Sequence, residues 1–222
     1  MRDEQSTHHD PHAHDGKNWD TPFSYYGKLV WAIETLLIKR GVCSGGDIHR
    51  QLVGVAKRSA TDGAKVVARA LVDPAFKARL VSDAMAAVRE LGFDINVALG
   101  ELRVVENTNR VHHLVVCTLC SCYPTTLLGR PPDWYKSLAY RSRAVIDPRG
   151  VMRGFGLDLG DHIQVRVVDS TADCRYMVLP LRPAGTDNME EEELASLVTR
   201  DSLIGVTQPL IPEQKEANAP IS

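Results

Sequence analysis

Three cysteines fall within six residues, Cys117-Thr118-Leu119-Cys120-Ser121-Cys122, and nothing else in this 222-residue sequence restricts its chemistry as tightly. A disulfide framework spreads its cysteines to staple distant segments. Cys120 and Cys122, one residue apart, are badly placed to bridge each other without strain. Clustered thiols in a reducing compartment read as metal ligands. The other two cysteines, Cys43 and Cys174, stand alone and read as small apolar residues. The cluster follows the strand-like Val115-Val116 and precedes Tyr123-Pro124, which places it on a loop leaving a strand.

Such a loop can wrap one ion closely. The sulfur and backbone nitrogen of Cys122 close a five-membered ring, and the nitrogens of Ser121 and Cys122 close another. The Cys120 sulfur and the Ser121 nitrogen close a six-membered ring. Two sulfurs and two amide nitrogens then form a square plane, with Cys117 reaching the axial position and a sixth position open. Backbone amides lose a proton only to a strongly polarising ion, so this arrangement favours a trivalent, six-coordinate metal over tetrahedral zinc. Three thiolates and two amidates around a 3+ ion sum to −2, a charge that needs cationic partners when buried. No Lys or Arg lies in the cluster, so those partners come from elsewhere in the fold or from another chain. Spacing alone leaves two other sites open: a zinc knuckle completed by His112 or His113, and an iron–sulfur cluster completed by Cys174.

The rest of the chain changes character near Gly100. Residues 1–20, with His8, His9, His12 and His14 among acids and small polar residues, have no apolar periodicity and read as a disordered tail that could scavenge metal. Thr21-Pro22 suits a helix start. Tyr26, Leu29, Val30, Ile33, Leu36 and Leu37 then recur at helical spacing, and Gly41 can end that helix. Shorter helices are predicted over Ile48–Val55 and Ala64–Leu71. Asp73-Pro74 starts a further helix, with Phe76, Leu80, Ala84, Val88 and Leu91 on one stripe. After Gly100, strands are predicted at Val104-Val105, Leu114–Val116, Ile163–Val167 and Tyr176–Leu179, with helical patterns at Trp134–Val145 and Glu190–Ser202. The expected fold class is therefore α+β: a helical region over 21–100, a unit built around a sheet over 101–208 that carries the cysteine cluster, and a loose tail over 209–222.

Composition excludes several classes. A formal net charge of −2 gives no electrostatic case for nucleic acid or an anionic membrane. No apolar run approaches the roughly 20 residues needed to span a bilayer, and the polar N-terminus is unlike a secretory signal. A cytoplasmic location is the expectation.

The flanks of the cluster narrow the reading. Val116-Cys-Thr-Leu-Cys-Ser-Cys-Tyr-Pro124 resembles the metal claw of the nitrile hydratase α subunit. In order, Val105-Glu106-Asn107-Thr108, Val111-His112, Leu128-Gly129, Pro131–Lys136, Tyr140–Arg143, Arg175–Pro180, Arg182–Thr186 and Thr199–Val206 are similar to that family as well. So are Gly63–Ala68 and Asp73–Lys77. The resemblance covers roughly residues 25 to 208. It implies an N-terminal helical arm wrapping a β subunit, followed by a layered α-β-β-α domain. It also implies a non-corrin Co(III), with Fe(III) second, because Thr118 and Tyr123 match the cobalt form. By the same resemblance Cys117 stays a thiolate, Cys120 becomes a sulfinate and Cys122 a sulfenate. Ser121 lends its hydroxyl to the pocket, and Asp169, Asp173 and Arg175 stand near the centre. Asp173 is a departure, since Glu is usual there. Arginines that hold the oxidised sulfurs would come from the partner, a β chain or two smaller chains replacing it. The implied reaction is hydration of a nitrile to an amide, with Cys122, Ser121 and Cys120 in the catalytic machinery.

Two departures touch the substrate pocket. Thr125 stands where the family places Trp after Tyr-Pro, and Leu99 stands where a pocket Gln precedes Gly-Glu. Together they remove a large aromatic volume and a hydrogen-bonding amide. A bulky aromatic or heterocyclic nitrile is the substrate they imply. The metal subunit of thiocyanate hydrolase carries the same claw and also lacks the Trp, so it is the alternative; a non-catalytic zinc-binding subunit is a distant one.

Overall fold

The computed structural model describes residues 24–93 and 100–217. The His-rich tail, the Thr21-Pro22 helix start and Leu99 lie outside the described residues. The chain divides into two compact units, Met1–Leu52 and Val53–Ser222.

In the first unit Ser24 caps α1 (Tyr25–Lys39), its hydroxyl accepting from Gly27 N at 2.9 Å. Gly41 takes up a left-handed conformation just past the helix, the position the sequence assigned to its end. α2 (Gly45–Lys57) crosses the boundary between the units. Neither helix has a buried residue. Trp31, Val30, Ile33 and Leu36 are all more than half exposed.

The second unit begins with three helices, α3 (Ala60–Val72), α4 (Pro74–Ser82) and α5 (Ala84–Glu90). The single stripe predicted from Phe76 to Leu91 is broken in the structure. Asp83 ends α4 and its carboxylate accepts from Ala86 N at 3.0 Å, so it caps α5 instead of continuing the turn. Val66, Val67, Phe76, Leu80, Ala87 and Val88 are buried in the same core as the strands.

β1 (Glu101–Glu106) and β2 (Val111–Val116) follow, then α6 (Thr125–Leu128), α7 (Asp133–Lys136), α8 (Leu138–Ile146) and α9 (Pro148–Gly154). β3 (Gln164–Asp169) and β4 (Cys174–Leu179) precede α10 (Glu191–Leu197), α11 (Arg200–Ile204) and α12 (Pro212–Ala217). The segment after Pro209, expected to be loose, thus contains a helix, and Leu210 N donates to Leu197 O at 2.9 Å.

Two sheets form, the layered arrangement that the resemblance implies and the residue pattern alone does not give. β1 pairs in parallel with β4, and β2 pairs in parallel with β3. Parallel pairing needs long crossovers, and α6 to α9 supply the one from β2 to β3. α4 and α5 pack on β1, β2 touches β4, and α8 and α9 pack on β2 and β3. The layers therefore run helix, sheet, sheet, helix. Leu114, Val115 and Val116 of β2 and Met177, Val178 and Leu179 of β4 form the buried centre. That near-continuous burial follows from covering the strands on both faces.

Candidate metal centre

The three cysteines leave the buried end of β2 together. Cys117 is fully buried, Cys122 half-buried and Cys120 exposed. Cys117 Sγ lies 3.3 Å from Cys120 Sγ, and Cys120 Sγ lies 3.2 Å from Cys122 Sγ. All three sulfurs are within 4.8 Å of one another. Cys120 N also donates to Cys117 Sγ at 3.2 Å.

These spacings discriminate between ions. A metal–sulfur bond of about 2.3 Å puts two sulfurs about 3.8 Å apart across a tetrahedral angle and about 3.3 Å apart across a right angle. The observed pairs lie close to the right-angle value, the spacing a square or octahedral ion would accept. Among the described residues, no other His, Cys, Asp or Glu joins the cluster. His112 Nε2 bonds Gly205 O at 2.8 Å, and the His113 ring Nδ1 bonds Asn107 Oδ1 at 3.2 Å. Both histidines are thus committed to the core, which removes the zinc knuckle. Cys174 sits at the start of β4, in the other sheet, which removes the iron–sulfur cluster.

Charge makes the same point. A hydrogen bond from the Cys122 thiol holds the Cys120 thiol below the ordinary thiol range. Burial, followed by that same bond, pushes the Cys122 thiol up to about 12. Without a cation the cluster holds one negative charge easily and resists a second. Three thiolates in this space need a cation among them.

The loop is fixed from several sides. Asp169 ends β3 directly opposite Val116 in the parallel register. Its carboxylate accepts from Thr118 N at 2.9 Å and from the Thr118 hydroxyl at 2.5 Å. Tyr135 OH donates to Cys122 O at 2.9 Å, and Arg141 Nη1 donates to Cys120 O at 3.1 Å. Tyr140 OH donates to Val115 O at 2.6 Å just upstream. Tyr123, with its ring edge-on to Tyr135 at 5.1 Å, belongs to an aromatic floor continued by Trp134 and Phe155. Of these contacts the sequence assigned only Asp169 to the neighbourhood. Tyr135, Tyr140 and Arg141 lie 13 to 25 residues from their partners and carry no local signal of the contact.

Thr125 and Arg175 line a small open recess just past the loop, together with Gly100, Glu101, Pro124 and Thr126. Gly100 permits this: with φ +92, a Cβ there would lie 2.2 Å from Arg175 Nη1 and 2.6 Å from Ala172 O. Arg175 Nη1 donates to Ala172 O at 2.9 Å. Asp173 is exposed and contributes its backbone carbonyl to Glu101 N. Ser121 is exposed at the tip of the loop. The structure thus brings Cys117, Cys120, Cys122 and Asp169 together, sets Thr125 and Arg175 at the adjoining recess, and leaves Asp173 at its edge.

Residues 24–207 match the family described as nitrile hydratase, alpha chain. The chain belongs to the nitrile hydratase α-chain family. It is 52% identical over 186 residues to the low-molecular weight cobalt-containing nitrile hydratase subunit alpha of Rhodococcus rhodochrous, covering 83% of this chain and 89% of that one. It is also 40% identical over 191 residues to the thiocyanate hydrolase subunit gamma of Thiobacillus thioparus, covering 82% of this chain and 79% of that one. Among solved structures, a double mutant of the iron-type nitrile hydratase from Comamonas testosteroni Ni1 superposes with a TM-score of 0.77 at 43% identity, covering 84% and 91%. The cysteine cluster occupies the claw region of this nitrile hydratase fold.

Proposed function

We propose that this chain is the metal-binding catalytic subunit of a nitrile hydratase that holds cobalt(III) in the claw. The carrying observation is the set of three sulfurs at right-angle spacing on a loop pinned by Asp169, Tyr135 and Arg141. The residues fit the ion: Cys117, Cys120 and Cys122 would supply thiolate-derived sulfurs, and the Ser121 and Cys122 amides would supply nitrogens. Cobalt(III) held there supplies Lewis acidity toward the nitrile. Cys122, as the sulfenate, offers the oxygen that serves as nucleophile toward the nitrile carbon or as base toward water. Cys120, as the sulfinate, and the Ser121 hydroxyl orient what enters the pocket. Cys117 remains a thiolate, sealed from solvent beneath the loop.

The reading of a bulky aromatic or heterocyclic nitrile as substrate rests on Thr125 standing in place of Trp. Thr125 stands in the wall of the recess, and no aromatic ring is among its lining residues. The pocket assignment of Leu99 rests on the sequence alone. Asp169 acts by holding Thr118, and Arg175 by presenting a cation at the recess wall. Assembly with a β chain, or with two smaller chains in its place, accounts for the apolar residues left exposed on α1. Leu119 at the loop tip is 89% exposed and offers a second apolar surface for a partner to cover. A cytoplasmic location accompanies the reduced, unpaired cysteines this chemistry starts from.

Thiocyanate hydrolysis is the second reading, favoured by the similarity to the gamma subunit of that enzyme and by Thr125 in place of Trp. One experiment on the assembled complex tests both. Metal analysis combined with mass spectrometry of the claw peptide is expected to give one cobalt per chain, two added oxygens on Cys120 and one on Cys122. Zinc with unmodified thiols would overturn the enzymatic reading. In parallel assays kcat/KM is expected to be highest for bulky nitriles; a preference for thiocyanate transfers the chain to the second reading. A preference for acetonitrile or acrylonitrile would sink the bulky-substrate assignment.

A further inference from the structure

Among the described residues that hydrogen-bond the claw, Arg141 is the only cation, and it is half satisfied. Its Nη1 donates to the carbonyl of Cys120 at 3.1 Å. Its Nε is buried and has no hydrogen-bond partner. Buried donors are nearly always paired, so an orphan beside a reactive loop points to an acceptor that arrives later. Arg141 does not reach the claw by chance of surface mobility. It rides on α8, whose N-terminus is capped by Ser137 and whose Tyr140 hydroxyl is bonded to Val115 O at the end of the claw strand.

We propose that Arg141 is a positioning residue for the claw: one edge of its guanidinium fixes the Cys120 carbonyl, and its Nε–H is the same-chain donor to an oxygen on the oxidised Cys120 sulfur. This rests on the reading that Cys120 becomes a sulfinate. A thiol sulfur is a weak acceptor, whereas a sulfinate presents two charged oxygens that suit the rigid guanidinium fork. The carbonyl already gripped belongs to that same residue, so the group is in place before the oxygens are. In the modification a thiolate sulfur gives four electrons to one dioxygen and keeps both oxygen atoms, RS⁻ plus O₂ giving RSO₂⁻. The guanidinium also offsets part of the −2 charge of three sulfur and two amidate ligands around a 3+ ion, without waiting for a partner chain.

The test uses the assembled complex bearing Arg141→Lys or Arg141→Gln. Lysine keeps a cation that can bond the Cys120 carbonyl but lacks a second, fixed N–H. For Arg141→Lys, cobalt per chain is expected within twofold of wild type, with unchanged Tm. The fraction of Cys120 carrying two oxygens is expected to fall at least tenfold in the claw-peptide mass spectrum. For Arg141→Gln, cobalt and oxygen should both fall, because the carbonyl anchor is weakened too. Wild-type oxygenation in Arg141→Lys would overturn the proposal, since Nε then serves no sulfur-borne oxygen. Unmodified Cys120 in the wild-type complex would instead remove the sulfinate reading, and this proposal with it.

Discussion

Helices α1 and α3 both carry dense apolar residues at helical spacing, and the chain treats them in opposite ways. In α3, Ala64, Val66, Val67 and Ala70 are sealed in the core with the strands that carry the claw. In α1 no residue is buried, and Trp31 is 71% exposed. Periodicity identifies a helix and its apolar stripe; it does not say what covers the stripe. α1 leaves its stripe exposed, while α3 belongs to the core from which the claw strand emerges. Exposed apolar area on this scale marks an interaction surface.

The largest effect should separate the cysteines of the two units. Cys117→Ala removes the buried ligand beneath the loop, and cobalt per chain should fall below a tenth of wild type with activity lost by more than a thousandfold. Cys43→Ala, in the first unit, should change neither. Metal analysis and a nitrile assay on the two purified complexes decide this. Equal cobalt content in both variants would break the assignment of the claw.

Next comes the arm. Leu29, Ile33 and Leu36 share one exposed face of α1, and replacing all three by Glu puts three charges where a partner would bury apolar surface. Each lost apolar burial is worth about 1.5–3 kcal/mol. The affinity for the partner chain should therefore drop by at least a hundredfold, read by pull-down or size exclusion. The thermal unfolding of the isolated chain should stay put. An assembled complex of wild-type affinity would show that α1 is not the docking face.

How much of this was legible in the sequence follows from the range of each interaction. Strand alternation, Asp-Pro helix starts and the cysteine spacing are local, and they placed β2, β4, α4 and the claw. Residue pattern alone did not reveal the division into two sheets, which came only from the resemblance, because β1 and β2 are adjacent in sequence and only the register with β4 and β3 separates them. Asp83 was hidden too, since its capping bond to Ala86 competes with a stripe that reads as unbroken. The contacts of Arg141 and Tyr135 depend on α7 and α8 folding back under the loop, and no residue pattern near the cysteines encodes that. Resemblance to the family supplied roles for Cys120 and Cys122 that spacing alone left open to zinc.

The contrast between α1 and the core has a quantitative form in stability. Leu80 is fully buried, so Leu80→Ala leaves a cavity and should cost about 2–5 kcal/mol. Ile33→Ala in the isolated chain should cost within about 0.5 kcal/mol, as exposed positions do. Denaturant unfolding measures both. A loss of more than about 1.5 kcal/mol at Ile33 would mean that the stripe is covered by the chain itself.

The smallest expected effect concerns acid, and it too should arise only in the second unit. Burial holds the His112 imidazole below its ordinary pKa, and burial together with Arg166, its neighbour across the β2–β3 register, does the same for His113. A histidine kept neutral binds its proton at lower pH when folded than when unfolded. Below about pH 6.5 the unfolded chain therefore takes up protons that the folded chain refuses, and stability falls as pH falls toward the folded pKa values. Tm should drop by a few degrees between pH 7.5 and 5.5. His112→Gln, which keeps a donor for the Gly205 carbonyl, should lower Tm at pH 7.5 and shrink that acid-induced drop. If the drop were unchanged in this variant, the acid sensitivity would have to come from other groups, and the buried Asn107–His112–Gly205 link would be a purely structural tie between β2 and α11.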